Sequence, residues 1–529
     1  LTNKKMKLKT LLLLAFVALI SFTGCAGDEV TANQDEKQGM TAFVVEENAS
    51  PVTRTTAEYD GSGINFFWTP YDFIWVNNSA ASPALQMNAR NDIPSTGKAA
   101  KAKFWFNGNF TASSYPLRYT GGTGRGDEVR ISSYQIQKEP NDASHFGSSG
   151  DCGTATAHNV NGVYKFTLDH KASYITFLPY TSDGSIKETI IQKIKVEANK
   201  AIAGTYSFDD NGLDTTSPTG SSNDITLMLK VNYYDGFPVP SSPSATTNAA
   251  LMVIAPGTYS SLKVTYTIYD PETTMSGDIV KEYSNVTFTS GKNKKISTDL
   301  KVPIMGDDFY MWDAQQEAWA GFKMYQSFKS NVPDSHYPSS KTSDPLRWYN
   351  DAPGNPVAAN TAKDCPNVNE ALWYILKGDP HLVSGLCSIK GHLYGMDGVW
   401  FKKKANIPGF RSDEGPAPYN YDYRLSSNNL GSTIDHPATL GEPSNKADYF
   451  FVAAPRFGYA YSVGTTVGSL GGFGTNDGNP TVWGTVFWTS TGNSNFGPRA
   501  YGIMLNPDVP AVRTEAWGRG NAVHIWKGE

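Results

Sequence analysis

Between about residues 160 and 300, apolar side chains recur at every second position. Leu262, Val264, Tyr266 and Ile268 alternate with Lys263, Thr265 and Thr267, the period of a strand with one buried face. Tyr164/Phe166/Leu168, Ile194/Val196 and Val286/Phe288 repeat the pattern. Turn-forming clusters at Asp60–Gly63, Ser182–Gly184 and Asp209–Gly212 separate these runs, because Gly, Asn and Asp tolerate the backbone angles of tight turns. No convincing helical period interrupts them. The chain up to about residue 302 therefore reads as two antiparallel β-sandwiches in tandem.

The pattern changes after Val302-Pro303. Val368, Ala371, Leu372, Ile375 and Leu376 fall at i, i+3, i+4, i+7 and i+8, one face of a helix of about three turns. Asn367 is placed to cap it, Glu370 to complete a capping box, and Gly378 to stop it. A second helix is expected from about Asp313 to Tyr325. From Tyr449 onward short strands alternate with glycine-rich loops, and nine of the twelve tryptophans lie beyond residue 302. This stretch, to residue 529, is expected to be a separable α+β domain.

A different apolar run opens the chain. Lys4, Lys5, Lys7 and Lys9 precede Leu11–Ile20, and Thr23-Gly24 precede Cys25. A basic flank, a short apolar core and small residues before a cysteine read as a lipoprotein signal peptide, lipidated at Cys25. The run is shorter than the roughly 20 residues a spanning helix needs. The acidic, apolar-poor segment after it reads as a solvated tether.

Composition narrows the function. A net charge of -5 argues against a nucleic-acid partner, since phosphate binding needs clustered Lys and Arg. With Cys25 lipidated, one Cys365–Cys387 disulfide is expected and Cys152 is left over. No Cys/His spacing suits zinc, no Gly-x-Ser-x-Gly elbow occurs, and Asp307-Asp308 reads as solvated linker. The expected sets of catalytic residues, metals and cofactors are empty.

Four segments, in order, resemble one family. Thr53-Arg54-Thr55 followed by Phe66–Val76 is similar to the "T-R-T … W-x-x-x-D-x-I-x-V" pattern of the fimbrillins, pilins of Bacteroidetes. Phe166–Ala172 with Ile175-Thr176-Phe177, then Leu251–Pro256, then Phe288–Leu300 complete the order. This resemblance, over about residues 40–302, implies two transthyretin-like sandwiches, cleavage after Arg54 by an arginine-specific protease, and strand exchange with other pilus subunits. It makes His170 a structural residue at the domain junction. Phe450–Tyr459, Trp488–Thr491 and Ala500–Leu505 resemble FISUMP domains, which belong with C-type-lectin-like and formylglycine-generating-enzyme-like folds. Where such lectins carry Glu-Pro-Asn and Trp-Asn-Asp for calcium, this chain has Glu442-Pro443-Ser444-Asn445 and Trp488-Thr489-Ser490.

Together these readings give a mainly β protein in four parts: residues 1–25 a signal peptide, 26–165 a first sandwich with its tether, 166–302 a second, and 303–529 a C-type-lectin-like domain. The expected role is a surface-exposed outer-membrane lipoprotein that becomes a tip subunit of a fimbrium. Its last domain would hold a host glycan or protein ligand on loops presenting Tyr459, Tyr461, Trp483, Asn493, Asn495 and Arg499, residue types that bind while losing little side-chain entropy. Alternatives are a pilus anchor, a non-pilus glycan-binding lipoprotein and, more remotely, an enzyme of the formylglycine-generating type.

Overall fold

The computed structural model describes residues 37–46, 56–59, 64–95, 97–123, 125–230, 235–323, 336–431, 433–458, 469–470, 485–494, 497–526 and 528–529, and every structural statement concerns these. The protein is mainly β, as its alternation predicts. One nine-stranded sheet forms the first unit. Third from one end, β1 (Met40–Val45) runs antiparallel to β2 (Lys103–Asn107) and parallel to β3 (Val163–Phe166). The strands of this sheet enclose the core of Phe43, Trp68, Ile74, Phe104, Leu117 and Tyr164.

The second unit holds the sequence's clearest alternation. Leu262, Val264, Tyr266 and Ile268 are all buried on β4 (Gly257–Tyr269), which pairs with β5 (Ser276–Phe288). The unit combines this six-stranded sheet with two three-stranded sheets over one core. The expected boundary at 165/166 is not a single point. Glu128–Ile131 and Tyr134–Gln137 leave the first sheet to pair with Ala203–Asp209 and Asp224–Leu229, after which Gly153–Val160 rejoins it. Two buried glutamines secure that excursion. Gln135 and Gln137 each donate to and accept from the backbone of the strand Ala250–Ile254 or its neighbour, at 2.7–3.0 Å, copying a ladder between two sheets. Such pairing removes the cost of burying an amide.

His170 sits where the first two units meet. Its ring stacks on Phe66 at 4.0 Å, and Nδ1 lies 2.8 Å from the buried carboxylate of Asp151, to which Tyr174 also donates. Every partner is internal, in keeping with a structural role.

The third unit packs two four-stranded sheets and a helix. The helix, α1 (Val368–Lys377), carries the full capping box, with Asn367 accepting from Asn369 and Glu370 N–H and Glu370 reaching back to Asn367. The second expected helix does not form over the described part of its span, residues 313–323. Asp313 there has φ 56°, and its carboxylate accepts from Asn350, Ala359 and Asn360. Side chain and backbone angle both commit it to a loop.

A hairpin joins the second and third units. Between β6 (His381–Ile389) and β7 (His392–Lys402), Lys390 and Gly391 both have positive φ, 55° and 91°, as a two-residue turn matched to strand twist requires. This turn carries Leu393 into the core of the second unit, where it is fully buried. The buried Asp270 carboxylate accepts from Leu393 N–H at 2.8 Å and lies 3.0 Å from His392 Nδ1. Asp307, expected to be solvated linker, instead pairs with Lys390 at 2.7 Å and Lys323 at 3.2 Å.

Two buried histidines make stability depend on pH. His145 donates to the Leu251 carbonyl and His524 to that of Pro455, and burial pulls each down to about 4. In the unfolded chain each titrates near the ordinary 6.5, so as pH falls from 6.5 to 4 the unfolded state gains protons that the folded state refuses. Their contribution is complete above 6.5 and lost through that window. Thermal melts should show Tm falling more steeply between pH 6.5 and 4 in the native protein than in a His145→Gln/His524→Gln variant; parallel slopes would reject this.

Candidate functional site

β1 is the first described strand of the chain, yet it lies inside a sheet. Phe-Val-Val suits a strand because β-branched and aromatic side chains pack well on a pleated surface. Phe43 stacks on Tyr164 at 4.7 Å and 13°, and meets Phe106 at 4.8 Å and Phe110 at 5.2 Å edge-on. Val45 and Ala42 are buried with it. Beyond the strand's start, Lys37 lies 2.8 Å from Asp92 and 4.6 Å from the centre of the Trp105 ring, whose N–H also donates to Asp92. If β1 leaves, β2 and β3 keep unpaired edges across an aromatic slot.

That slot is built to persist. Tyr164 donates to the Ala112 carbonyl at 2.5 Å, and Tyr115 accepts from Thr111 and Ala112 N–H at 3.1 Å. One loop therefore fixes Tyr164, which walls the Phe43 position, and Tyr115, which packs against Tyr164 and Phe110. Arg54 and Cys25 lie outside the described residues.

The expected ligand surface of the third unit fares differently. Tyr459, Tyr461, Trp483 and Asn495 lie outside the described residues. Asn493 is buried and donates to Asn429, and Arg499 donates to the Ala516 carbonyl. Asn493 is thus turned inward, whereas Arg499 is half-buried with one arm on the sheet. Beside them the buried Arg519 guanidinium donates to carbonyls of Arg499, Asn350, Ala352, Gly354 and Asn493. Near the same end of the sheet, Tyr421, Leu425 and Val357 are 61%, 53% and 67% exposed, and Asn355 links two of their loops by donating to Leu425 O and accepting from Ser494 N–H. Lacking any period, these residues gave no sequence signal.

Sequence reading also missed the clamp beneath the loop strand. Asp397, on β7, is fully buried and accepts from Arg456 through both oxygens at 2.7–3.1 Å, from Ser384 at 3.1 Å and from Thr485 at 3.0 Å. Arg456 follows β8 (Tyr449–Pro455), and Thr485 precedes β9 (Val486–Asn493). One carboxylate thus fixes both stems of the segment between them.

The expected Cys365–Cys387 bridge is not formed. Both thiols are free and buried in different apolar clusters, Cys365 beside Trp526 and Tyr374, Cys387 beside Phe309 and Trp319. Burial pushes each up to about 12. A protonated, enclosed thiol is a poor nucleophile, so these cysteines do not resemble a reactive pair. Among the described residues no group of His, Cys, Asp and Glu could hold a metal ion, and no helix is long and apolar enough to cross a membrane.

No family model and no curated protein matches the chain. Solved structures similar to parts of it include a candidate cell adhesion protein from Bacteroides ovatus, at 11% identity and TM-score 0.30, spanning 49% of this chain and 92% of that one. A second, from Bacteroides fragilis, has 10% identity and TM-score 0.28 over 50% and 93%. A fimbrial protein from Bacteroides ovatus has 11% identity and TM-score 0.21 over 55% of each chain.

Proposed function

We propose that this chain is a non-enzymatic, adhesive subunit of a surface pilus, lipidated at Cys25, cut after Arg54 and joined to its neighbour by strand replacement, with the third unit at the tip. The observation that carries this reading is the position of β1: a six-residue strand at the start of the described chain, linked by a segment containing Arg54, yet paired on both sides. Cutting there would release one strand and expose two edges whose donors and acceptors an incoming strand satisfies. The third unit follows the second sandwich where a stalk subunit would carry its donor strand, which favours the tip. Exposed Tyr421, Leu425 and Val357 supply a surface suited to a glycan or protein ligand.

N-terminal sequencing of protein taken from the cell surface tests the reading. Assembled material should begin at Thr55, and Arg54→Ala should stay at the membrane, unassembled. Assembled protein beginning at Cys25, or normal assembly of Arg54→Ala, would overturn it. A Cys25→Ala variant should lose incorporated palmitate.

A further inference from the structure

We infer that the slot vacated by β1 selects its occupant by a single aromatic side chain at the place of Phe43, in a strand that runs parallel to β3 and antiparallel to β2. This rests on the strand-replacement reading and adds to it the chemistry, direction and register of the partner strand.

Three observations carry it. Phe43 is fully buried among Tyr164, Phe106 and Phe110, stacked on the first and edge-on to the other two. A flat ring satisfies that geometry; a branched aliphatic chain leaves ring faces without partner atoms. The walls are also held, because Tyr164 is bonded to the loop 111–112 and is backed, with Phe110, by Tyr115, which the same loop holds, so a smaller residue leaves a cavity that collapses poorly. Finally, the neighbouring inward position is small. Val45 fills it, and Phe43 is the one ring in the strand Met-Thr-Ala-Phe-Val-Val. Sliding the occupant by one residue would turn its apolar set outward, and sliding it by two would bring a smaller side chain to the aromatic site. The ring therefore sets register, and register sets the spacing between successive subunits.

Direction follows from the ladder. β1 pairs Phe43 with Tyr164 in parallel and with Phe104 antiparallel. A strand entering the other way would replace evenly spaced, slanted bonds to β3 by an antiparallel pattern and would present different N–H groups to the Ala102 and Phe166 carbonyls, which now accept from Val45 N–H and Glu46 N–H at the end of β1.

The test uses the full chain with a specific protease site replacing residues 49–53, cut so that β1 is held without a covalent link. Labelled peptides then compete for the slot: the sequence of residues 37–46, the same peptide with Phe43→Tyr, with Phe43→Leu and with Phe43→Ala, and the native residues in reversed order. The native and Phe43→Tyr peptides should exchange in with similar affinity, Phe43→Leu more weakly, and Phe43→Ala about 30-fold more weakly, which at about 1.4 kcal/mol per tenfold is about 2 kcal/mol. The reversed peptide should not compete. Equal binding of native and Phe43→Ala peptides would overturn the aromatic anchor while leaving strand replacement standing, and effective competition by the reversed peptide would overturn the direction. Failure of every peptide to enter the cut, folded protein would overturn both the anchor and strand replacement.

Discussion

Replacing Asp397 by alanine should destabilise the third unit by about 3–5 kcal/mol, the range for removing one partner of a buried ion pair. Arg456, 2% exposed, would keep its charge without the carboxylate it now holds through three contacts. Thr485 and Ser384 would lose their acceptor as well. The double variant Asp397→Leu/Arg456→Met should be markedly less damaged than the single one, because it removes both charges instead of stranding one. Chemical denaturation followed by tryptophan fluorescence reads both, since most tryptophans lie in this unit. A single variant costing under about 1 kcal/mol would mean the pair is dispensable, and a double variant worse than the single would mean the damage does not come from a stranded charge.

Cutting the chain after Val302 should destabilise both halves, against the expectation of a separable C-terminal domain. Leu393 is a core residue of the second unit, although it lies 91 positions beyond Val302 in the sequence. Without it the second unit loses a buried leucine, a change worth about 2–5 kcal/mol when made as Leu→Ala. Asp270 would also lose the Leu393 N–H and the His392 ring, leaving a buried carboxylate short of donors, at about 1–3 kcal/mol. In the other fragment Leu393 would face water. Calorimetry should therefore give a lower Tm for residues 37–302 than for the same region in the full chain, and Leu393→Ala in the full chain should reproduce much of the drop. A fragment melting at the full-chain temperature would show that the hairpin only rests against the second unit.

Local period and local chemistry were legible in the sequence. Leu262–Ile268 is a strand with its apolar side buried, because alternation needs only one face to meet a core. Asn367, Glu370 and Gly378 define α1 because caps act within one turn of the chain. Even His170 was recognisable as structural.

What only the tertiary structure decided depends on partners far away in the chain. No local pattern says that β1 lies inside a sheet, since its neighbours are about 60 and 120 residues away. The excursion of residues 128–137 into the second unit, the burial of Leu393 and the clamp on Asp397 are likewise long-range. The cysteine count suggested a bridge, but pairing depends on which core each thiol joins, and Cys365 and Cys387 join different ones. Asn493 shows the limit most directly. Its type and its loop-like surroundings point to a binding surface, and only the approach of Asn429 turns it inward. Sequence determined which residues want to be strands, helices and turns, because those preferences are set within a few residues; the fold decided which edges meet and which polar groups are satisfied, because burial is a property of the whole chain.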